Sequence, residues 1–107
     1  MSEVVIAGDD PEGLGRALER HGATVRYAEG TASRRELEAA DIEDAETFVV
    51  TDAGLATSVS VALDISPDLR IVFYTRDSVP EFVSGQAGHI VDPTLLDADT
   101  VAEELLR

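Results

Sequence analysis

Five short apolar segments alternate with five segments of helical periodicity along the chain. We predict strands at Val4–Ala7, Ala23–Ala28, Thr47–Thr51, Arg70–Thr75 and His89–Val91. We predict helices over Leu14–His21, Ser33–Ala40, Leu55–Ile65, Pro80–Ala87 and Asp99–Leu106. Strands that alternate with helices form a parallel sheet covered on both faces, because each crossover is a right-handed connection. The sequence therefore predicts an α/β fold, a three-layer α/β/α Rossmann-like sandwich with a parallel sheet of about five strands.

The length of the chain fits one domain. Its 107 residues are enough to bury one hydrophobic core and too few for two. The sequence contains no internal repeat, linker or low-complexity segment. We therefore expect residues 1–107 to form a single Rossmann-like domain.

The charge balance is strongly acidic. The chain has 22 acidic residues against eight basic ones, all of them arginine, and its formal net charge is −14. This lysine-free composition resembles that of proteins from a salt-rich cytoplasm, where a Debye length of about 3 Å at 1 M screens self-repulsion. Because no basic patch is available to displace the counterions of phosphates, we expect no nucleic-acid partner and no anionic membrane partner.

We expect neither membrane insertion nor disulfide chemistry. The apolar runs extend over a few residues, whereas a bilayer-spanning helix needs about 20. The N-terminal residues Met1-Ser2-Glu3 lack the basic and apolar parts of a secretory signal. The absence of cysteine fits a reducing compartment. These features predict a cytoplasmic protein.

Two predicted helices are preceded by residues that typically cap helices. Ser33 and Glu36 have the spacing of a capping box. Asp97 or Asp99 is positioned to cap the last helix.

A glycine-rich loop, Gly8-Asp9-Asp10-Pro11-Glu12-Gly13, connects the first strand to the first helix. In Rossmann-like domains a strand–glycine loop–helix arrangement presents backbone N–H groups to phosphates. The acids within this loop oppose such a ligand. Asp9 and Asp10 are equally candidates for capping the first helix, as Asp52 is for the third.

These features resemble the nucleotide-binding N-terminal domain of potassium-transport regulators, the TrkA-N or RCK family, over nearly the whole chain. The resemblance lies in the Gly8–Gly13 loop, in Glu29 after the second strand, and in the segments Ala32–Asp52, Ser66–Ile71 and Gln86–Pro93. Glu29 follows Gly8 by 21 residues, close to the roughly 20 expected of an acid that binds a ribose. The resemblance implies a homodimer, and a nucleotide or other small ligand bound by Gly8, Asp9, Asp10, Gly13, Glu29 and Asp52.

The chain departs from this family in two respects. Asp10 replaces the second glycine of the loop, which lets the backbone approach a pyrophosphate. Its repulsion of a dianion costs on the order of 1–4 kcal/mol at an intermediate dielectric. The segment after the second strand is also short, as if one βα unit were deleted. The resemblance therefore implies a compact domain with weakened or altered nucleotide binding.

The chain also resembles a response-regulator receiver. Receivers carry an acidic pair after the first strand, a phosphoacceptor aspartate after the third, and Ser or Thr after the fourth. Asp9-Asp10, Asp52 and Thr75 occupy these places, and such carboxylates are possible Mg²⁺ ligands. The family also requires a lysine before a proline after the fifth strand, where this chain has Asp92-Pro93. An active phosphoacceptor is therefore not expected, whereas a pseudo-receiver remains an alternative.

We find no pattern typical of an enzyme. His21 is placed to complement a helix dipole, and His89 has no histidine or cysteine near it in sequence, so we predict no metal centre. The serines lack the context of a nucleophile elbow. We predict a non-catalytic ligand-sensing regulatory or interaction domain. The alternative is a pseudo-receiver that recognises a partner through the face around Thr75 and Asp92.

Overall fold

A computed structural model describes residues 2–107 of the chain. Five parallel strands form one sheet: β1 (Glu3–Ala7), β2 (Thr24–Ala28), β3 (Thr47–Val50), β4 (Arg70–Tyr74) and β5 (His89–Val91). The helices are α1 (Leu14–Arg20), α2 (Arg34–Ala39), α3 (Thr57–Ile65), α4 (Glu81–Ser84) and α5 (Ala98–Leu105). Short 3-10 helices lie at Ile42–Asp44 and Ala53–Leu55.

The strands lie in the order β2-β1-β3-β4-β5. The chain therefore moves outward from β1 to β2 and then returns past β1 to begin β3. In open parallel sheets, ligands bind outside the carboxyl ends of the strands where the strand order reverses. In this sheet that place lies between the ends of β1 and β3.

The sheet separates two apolar cores, one on each face. The first lies beneath α2, α3 and α4 and is formed mainly by Val5, Leu37, Ile42, Phe48, Val59, Ile71, Phe73 and Val83. The second lies beneath α1 and α5 and is formed mainly by Val4, Ile6, Leu14, Leu18, Val49, Val72, Tyr74 and Val101. Because both faces are covered, the inner strands are apolar after their first residue, and all of β3 is buried.

The predicted fold class is confirmed, and each predicted strand and helix is present. Four of the five helices are shorter than predicted, and for α3 and α4 the cause is local. Helix α3 begins at Thr57 because the preceding residues form the 3-10 helix Ala53–Leu55. Helix α4 covers only Glu81–Ser84, and Gly85 is its C-cap. Within residues 2–107, no helix combines the length and apolar character needed to cross a bilayer.

The candidate caps at Asp97 and Asp99 have separate roles. Asp97 caps α5, because its carboxylate accepts a hydrogen bond of 2.8 Å from the backbone N–H of Thr100. This backbone bond, followed by one with the Thr100 side chain, lowers the pKa of Asp97. Asp99 instead forms an ion pair of 2.8 Å with Arg20, which joins α5 to α1.

The predicted capping box is present at the start of α2. The Glu36 carboxylate accepts hydrogen bonds from the Ser33 hydroxyl and from the Ser33 N–H, the latter at 3.0 Å. The pKa of Glu36 lies below its ordinary value of 4.5, chiefly because the Ser33 hydroxyl bonds to the charged form. The ionised carboxylate therefore stabilises this end of α2.

We expect the stability contributed by Glu36 to depend on pH. A lowered folded-state pKa stabilises the fold above the unfolded-state pKa, and this contribution is lost as the pH falls through the folded-state value. Glu36→Gln should therefore be less stable than wild type at about pH 6 and nearly equal to it at about pH 3. NMR titration of Glu36 and urea unfolding at both pH values test this. Glu38→Gln removes the same charge from the same helix without the cap, and an equal effect there would contradict the prediction.

Candidate functional site at the carboxyl edge of the sheet

The carboxyl ends of β1, β2 and β3 surround a cleft of about 480 Å³. We call it the acidic cleft, and its lining consists of Gly8, Asp9, Asp10, Tyr27, Ala28, Glu29, Gly30, Asp52 and Leu55. It brings together Gly8, Asp9, Asp10, Glu29 and Asp52, five of the six residues that the sequence analysis selected. Gly13 is not part of this lining. Ligand binding by these residues remains a prediction.

Gly8 allows the loops after β1 and β3 to meet. Its φ of +101° lies in a region that side-chain-bearing residues rarely adopt. A Cβ atom at this position would lie 2.6 Å from the Thr51 hydroxyl oxygen and 3.1 Å from Asp52 Cβ. The Thr51 hydroxyl closes the junction by donating to the backbone carbonyls of Asp9 and, at 3.3 Å, Ala7. The floor of the acidic cleft therefore depends on glycine at position 8.

Asp10 caps helix α1 with both of its carboxylate oxygens. Oδ1 accepts from the N–H of Leu14 at 3.0 Å, and Oδ2 accepts from the N–H of Gly15 at 2.7 Å. The capping role considered for Asp9 and Asp10 therefore belongs to Asp10, whereas Asp9 is exposed. The N–H groups that a Rossmann loop offers to a phosphate are occupied here by the chain's own carboxylate.

Asp52 also uses its carboxylate within its own loop. Oδ1 accepts from the N–H of Gly54 at 2.8 Å, which caps the 3-10 helix Ala53–Leu55. The capping alternative for Asp52 is therefore correct for this 3-10 turn and not for α3 itself. Within residues 2–107, no three histidine, cysteine, aspartate or glutamate side chains are grouped so that they could hold one metal ion.

Tyr27 is a wall of the acidic cleft that the sequence analysis did not select. Its ring is 45% exposed, and a Cβ atom at Gly15 would collide with its hydroxyl group. Burial raises the pKa of Tyr27, and the negative charges of Asp10 and Glu19 raise it further. The available sequence signal was Gly15, because a glycine inside a helix often marks a close approach of another group.

A second cleft of about 270 Å³ lies at the same edge of the sheet. We call it the β4-end cleft, and it is lined by Pro11, Glu12, Thr51, Tyr74, Thr75, Arg76, Asp77 and Pro93. Arg76 Nη1 lies 3.2 Å from Glu12 Oε2 and joins the loop after β4 to the loop after β1. The Thr75 hydroxyl accepts from the N–H of Asp77 at 3.1 Å. Thr75 and Asp52, which the receiver resemblance paired, therefore line two different clefts.

Asp92 and Tyr74 fix the segment that borders the β4-end cleft. The Asp92 carboxylate accepts from the N–H and the hydroxyl of Thr94, at 2.9 and 2.8 Å. These bonds, the backbone one first, lower the pKa of Asp92, and the nearby charge of Arg76 lowers it further. The Tyr74 hydroxyl donates to the Leu96 carbonyl at 2.8 Å. The sequence analysis missed Arg76, although its place directly after Thr75 and a predicted strand was visible.

The strand order β2-β1-β3-β4-β5 is that of a flavodoxin-like or CheY-like α/β fold. An orphan response regulator of H. pylori superposes with a TM-score of 0.74 at 11% identity, over 98% of this chain and 93% of its own. A CheY-like receiver protein of Methanospirillum hungatei gives 0.72 at 18% identity, over 99% and 91%. A Burkholderia pseudomallei response regulator containing a phosphorylated aspartic acid, a calcium ion and citrate gives 0.64 at 25% identity, over 99% and 71%.

The particular family follows from a family model that matches residues 4–105. It describes a family of unknown function, DUF7126, and the chain belongs to that family. No curated protein matches the sequence.

These comparisons correct the first of the two resemblances. They do not support the likeness to potassium-transport regulators or a nucleotide ligand, whereas they support the likeness to receivers. The chain spans 93% and 91% of two receiver-type structures. Because the chain covers nearly the whole of these structures, the short segment after β2 needs no deleted βα unit to explain it.

We expect Gly8→Ala to destabilise the fold more than Gly13→Ala. Both glycines have positive φ, but a Cβ atom at Gly13 meets nothing within 4 Å. Gly13→Ala should cost about 1–2 kcal/mol from left-handed strain alone. Gly8→Ala adds the collision with Thr51 and should cost about 2–4 kcal/mol. Denaturant unfolding of both variants tests this, and equal losses would contradict the close approach at Gly8.

We expect Asp10→Ala to lower the free energy of unfolding by about 1–3 kcal/mol, because two N–H groups lose their acceptor. Asp9→Ala removes the same charge from an exposed neighbour and should change stability by less than about 0.5 kcal/mol. Thermal and denaturant unfolding of the pair in concentrated KCl measures the difference. A stabilised Asp10→Ala variant would show that repulsion at this position outweighs capping.

Proposed function

We propose that this protein is a receiver-like signalling module that acts by binding another protein and neither accepts a phosphoryl group nor binds a nucleotide. One observation carries this proposal. The position before Pro93, where a receiver carries the lysine that stabilises a phosphoryl group, holds Asp92, and the chain contains no lysine. The receiver-type fold of the structural neighbours supports the signalling part of the proposal.

The hydrogen bonds of the acids support the same conclusion. Both oxygens of Asp10 and one oxygen of Asp52 are held by backbone N–H groups of their own loops. A carboxylate that caps a helix must give up this bond before it can turn toward a ligand, which costs free energy. Asp10 and Asp52 therefore stabilise their own loops and are poorly placed to form a phosphoryl site.

The distribution of cations also opposes a phosphoryl group or a nucleotide. The chain contains no lysine, and Asp92 occupies the position before Pro93 where receivers have one. Arg76 is a cation at this edge, but it is paired with Glu12. In the acidic cleft, Asp9, Asp10, Glu29 and Asp52 face any anion with like charge. A phosphate in either cleft would therefore lack a free counter-charge.

The face around Thr75 and Asp92 is the proposed binding surface for a protein partner. Its backbone is held in place by the Arg76–Glu12 ion pair and by the Tyr74–Leu96 hydrogen bond. A preorganised surface of this kind loses little conformational entropy on binding. The Asp92–Thr94 turn adds a fixed carboxylate at its border.

The phosphoryl arm of the proposal is tested with acetyl phosphate and Mg²⁺ in concentrated KCl. We expect intact-mass spectrometry to detect no phosphoryl adduct on wild type, and none on Asp92→Lys, which restores the lysine–proline pair. An adduct on wild type that Asp52→Asn abolishes would contradict the absence of phosphorylation.

Thermal unfolding with NAD, ATP, AMP and c-di-AMP tests the proposed absence of nucleotide binding. A bound nucleotide would stabilise the fold by about 2.7 kcal/mol at 100 times its Kd.

The protein-binding arm is tested by photo-cross-linking in cells. A photoreactive residue at Asp77, which is exposed on the β4-end cleft, should capture a defined protein. The same residue at Ser60, exposed on α3, is the matched control and should capture none. Equal capture at both positions, or none at Asp77, would contradict the proposed surface.

A further inference from the structure

A groove between β5 and α5 lies apart from the two clefts at the carboxyl edge of the sheet, and its volume is about 360 Å³. Helix α5 packs against α1, to which the Arg20–Asp99 ion pair joins it, and it leaves this face of β5 partly open. As a result, His89 is exposed and Val91 is only half-buried. We call this the α5 groove, and its apolar lining consists of Val72, Val91, Leu96, Val101 and Leu105.

The polar residues of the α5 groove follow from the geometry of its walls. Side chains alternate along a strand, so every second residue of β4 and β5 contributes to the floor of the groove. Arg70, the first residue of β4, and His89, the first residue of β5, are among them. Glu104 lies on the same face of α5 as Val101, three residues before it. The groove therefore combines an apolar floor with side chains of both charges.

Arg70 is a partly buried cation without an acidic partner. Its Nε and Nη2 groups donate to the Thr47 hydroxyl at 3.2 and 3.0 Å, and Nη2 also donates to the Leu105 carbonyl at 2.6 Å. These acceptors are all neutral. Among residues 2–107, no carboxylate forms an ion pair with Arg70, and its Nη1 donates to none of their groups. In a chain with 22 acids, this guanidinium retains the capacity to bind a carboxylate from outside the chain.

Glu104 places a negative charge at the same end of the groove. It directly precedes Leu105, whose carbonyl holds Arg70. Its carboxylate is 57% exposed and lies 3.8 Å from Arg107 Nε, so it forms no ion pair that would hold it away from a ligand. Glu104 repels a simple anion and Arg70 repels a simple cation, whereas a zwitterion complements both charges.

We propose that the α5 groove binds an aliphatic α-amino acid of about the size of leucine. The ligand's carboxylate accepts hydrogen bonds from Arg70 Nη1, and its ammonium group faces the Glu104 carboxylate. An α-amino acid carries both groups on one carbon atom, so both reach the same end of the groove. The aliphatic side chain then lies along the apolar floor toward Leu96.

The size of the groove limits the ligand. The volume of about 360 Å³ lies at the small end of the range of about 300–1,000 Å³ typical of small-molecule sites. A water molecule occupies roughly 30 Å³ in the liquid, so the groove holds about twelve groups of that size. This is enough for leucine and too little to enclose a nucleotide or a long peptide. The Tyr74 hydroxyl fixes Leu96 at the far end by a hydrogen bond of 2.8 Å to its carbonyl.

NMR of the two histidines tests this site on the pure chain. His89 lines the groove, whereas His21 lies at the end of α1 beside Asp99. On titration with leucine in concentrated KCl, we expect the His89 ring signals to shift with a Kd on the order of 1 mM, and His21 to remain unchanged. Isocaproate lacks the ammonium group and isoamylamine lacks the carboxylate, so each should bind at least about tenfold more weakly. Glycine lacks the aliphatic side chain and should leave His89 unshifted.

Glu104→Gln and Glu103→Gln form a matched pair, because each removes an exposed charge from α5 and only Glu104 of the two lines the groove. Glu104→Gln should weaken leucine binding at least about fivefold and strengthen isocaproate binding, because its carboxylate attracts the ammonium group and repels a simple anion. Glu103→Gln should change neither. Arg70→Gln should weaken the binding of both leucine and isocaproate, because both use the guanidinium.

Circular dichroism establishes that each variant is folded, and Glu104→Gln decides the question if Arg70→Gln is not. An unchanged His89 resonance up to the solubility limit of leucine would overturn the proposal. So would equal shifts at both histidines, equal binding of isocaproate or isoamylamine, or equal effects of the two glutamate variants. The proposal goes beyond the proposed function, because it is measured on the pure chain and its failure leaves the Asp77 cross-linking result unaffected.

Discussion

The cap that Asp10 forms on helix α1 fixes where the helix begins and which N–H groups remain free at the carboxyl edge of the sheet. Its two carboxylate oxygens hold the N–H groups of Leu14 and Gly15, so the helix begins at a fixed distance from the end of β1. Leu14 is buried in the core beneath α1, and Gly15 provides the space for Tyr27. The same bonds occupy the N–H groups that a phosphate would need, so one interaction stabilises the fold and alters the site.

The arginines of this acidic chain serve as links between elements. Arg20 joins α1 to α5, Arg34 joins α2 to α3, and Arg76 joins the loops after β4 and β1. Arg70 is less exposed and donates to the Thr47 hydroxyl and, at 2.6 Å, to the Leu105 carbonyl. Exposed ion pairs contribute only about 0–1 kcal/mol, and salt weakens them further. Stability in concentrated salt therefore depends on the two apolar cores.

The sequence was sufficient to predict the fold but not the arrangement of the candidate site. The inner strands were predictable because burial on both faces leaves continuous apolar runs at residues 4–7, 48–50 and 71–74. The likeness to potassium-transport regulators is not supported, and the spacing that suggested it is not specific. The interval from Gly8 to Glu29 equals one strand-to-strand repeat, which any doubly wound α/β domain contains whatever it binds. The occupation of both Asp10 oxygens by the N–H groups of Leu14 and Gly15 depends on how the loop after β1 folds against the start of α1. No linear spacing encodes that contact.

The contacts around β4 connect the carboxyl edge to the far edge of the sheet. Arg76 binds the loop after β1, the N–H of Thr75 bonds to Val91 of β5, and the Tyr74 hydroxyl bonds to Leu96 ahead of α5. These consecutive residues therefore contact three separate parts of the chain. A protein that displaced Arg76 from Glu12 would act on the same backbone that positions β5. The end of β4 therefore joins the proposed partner face to β5 and to the segment before α5.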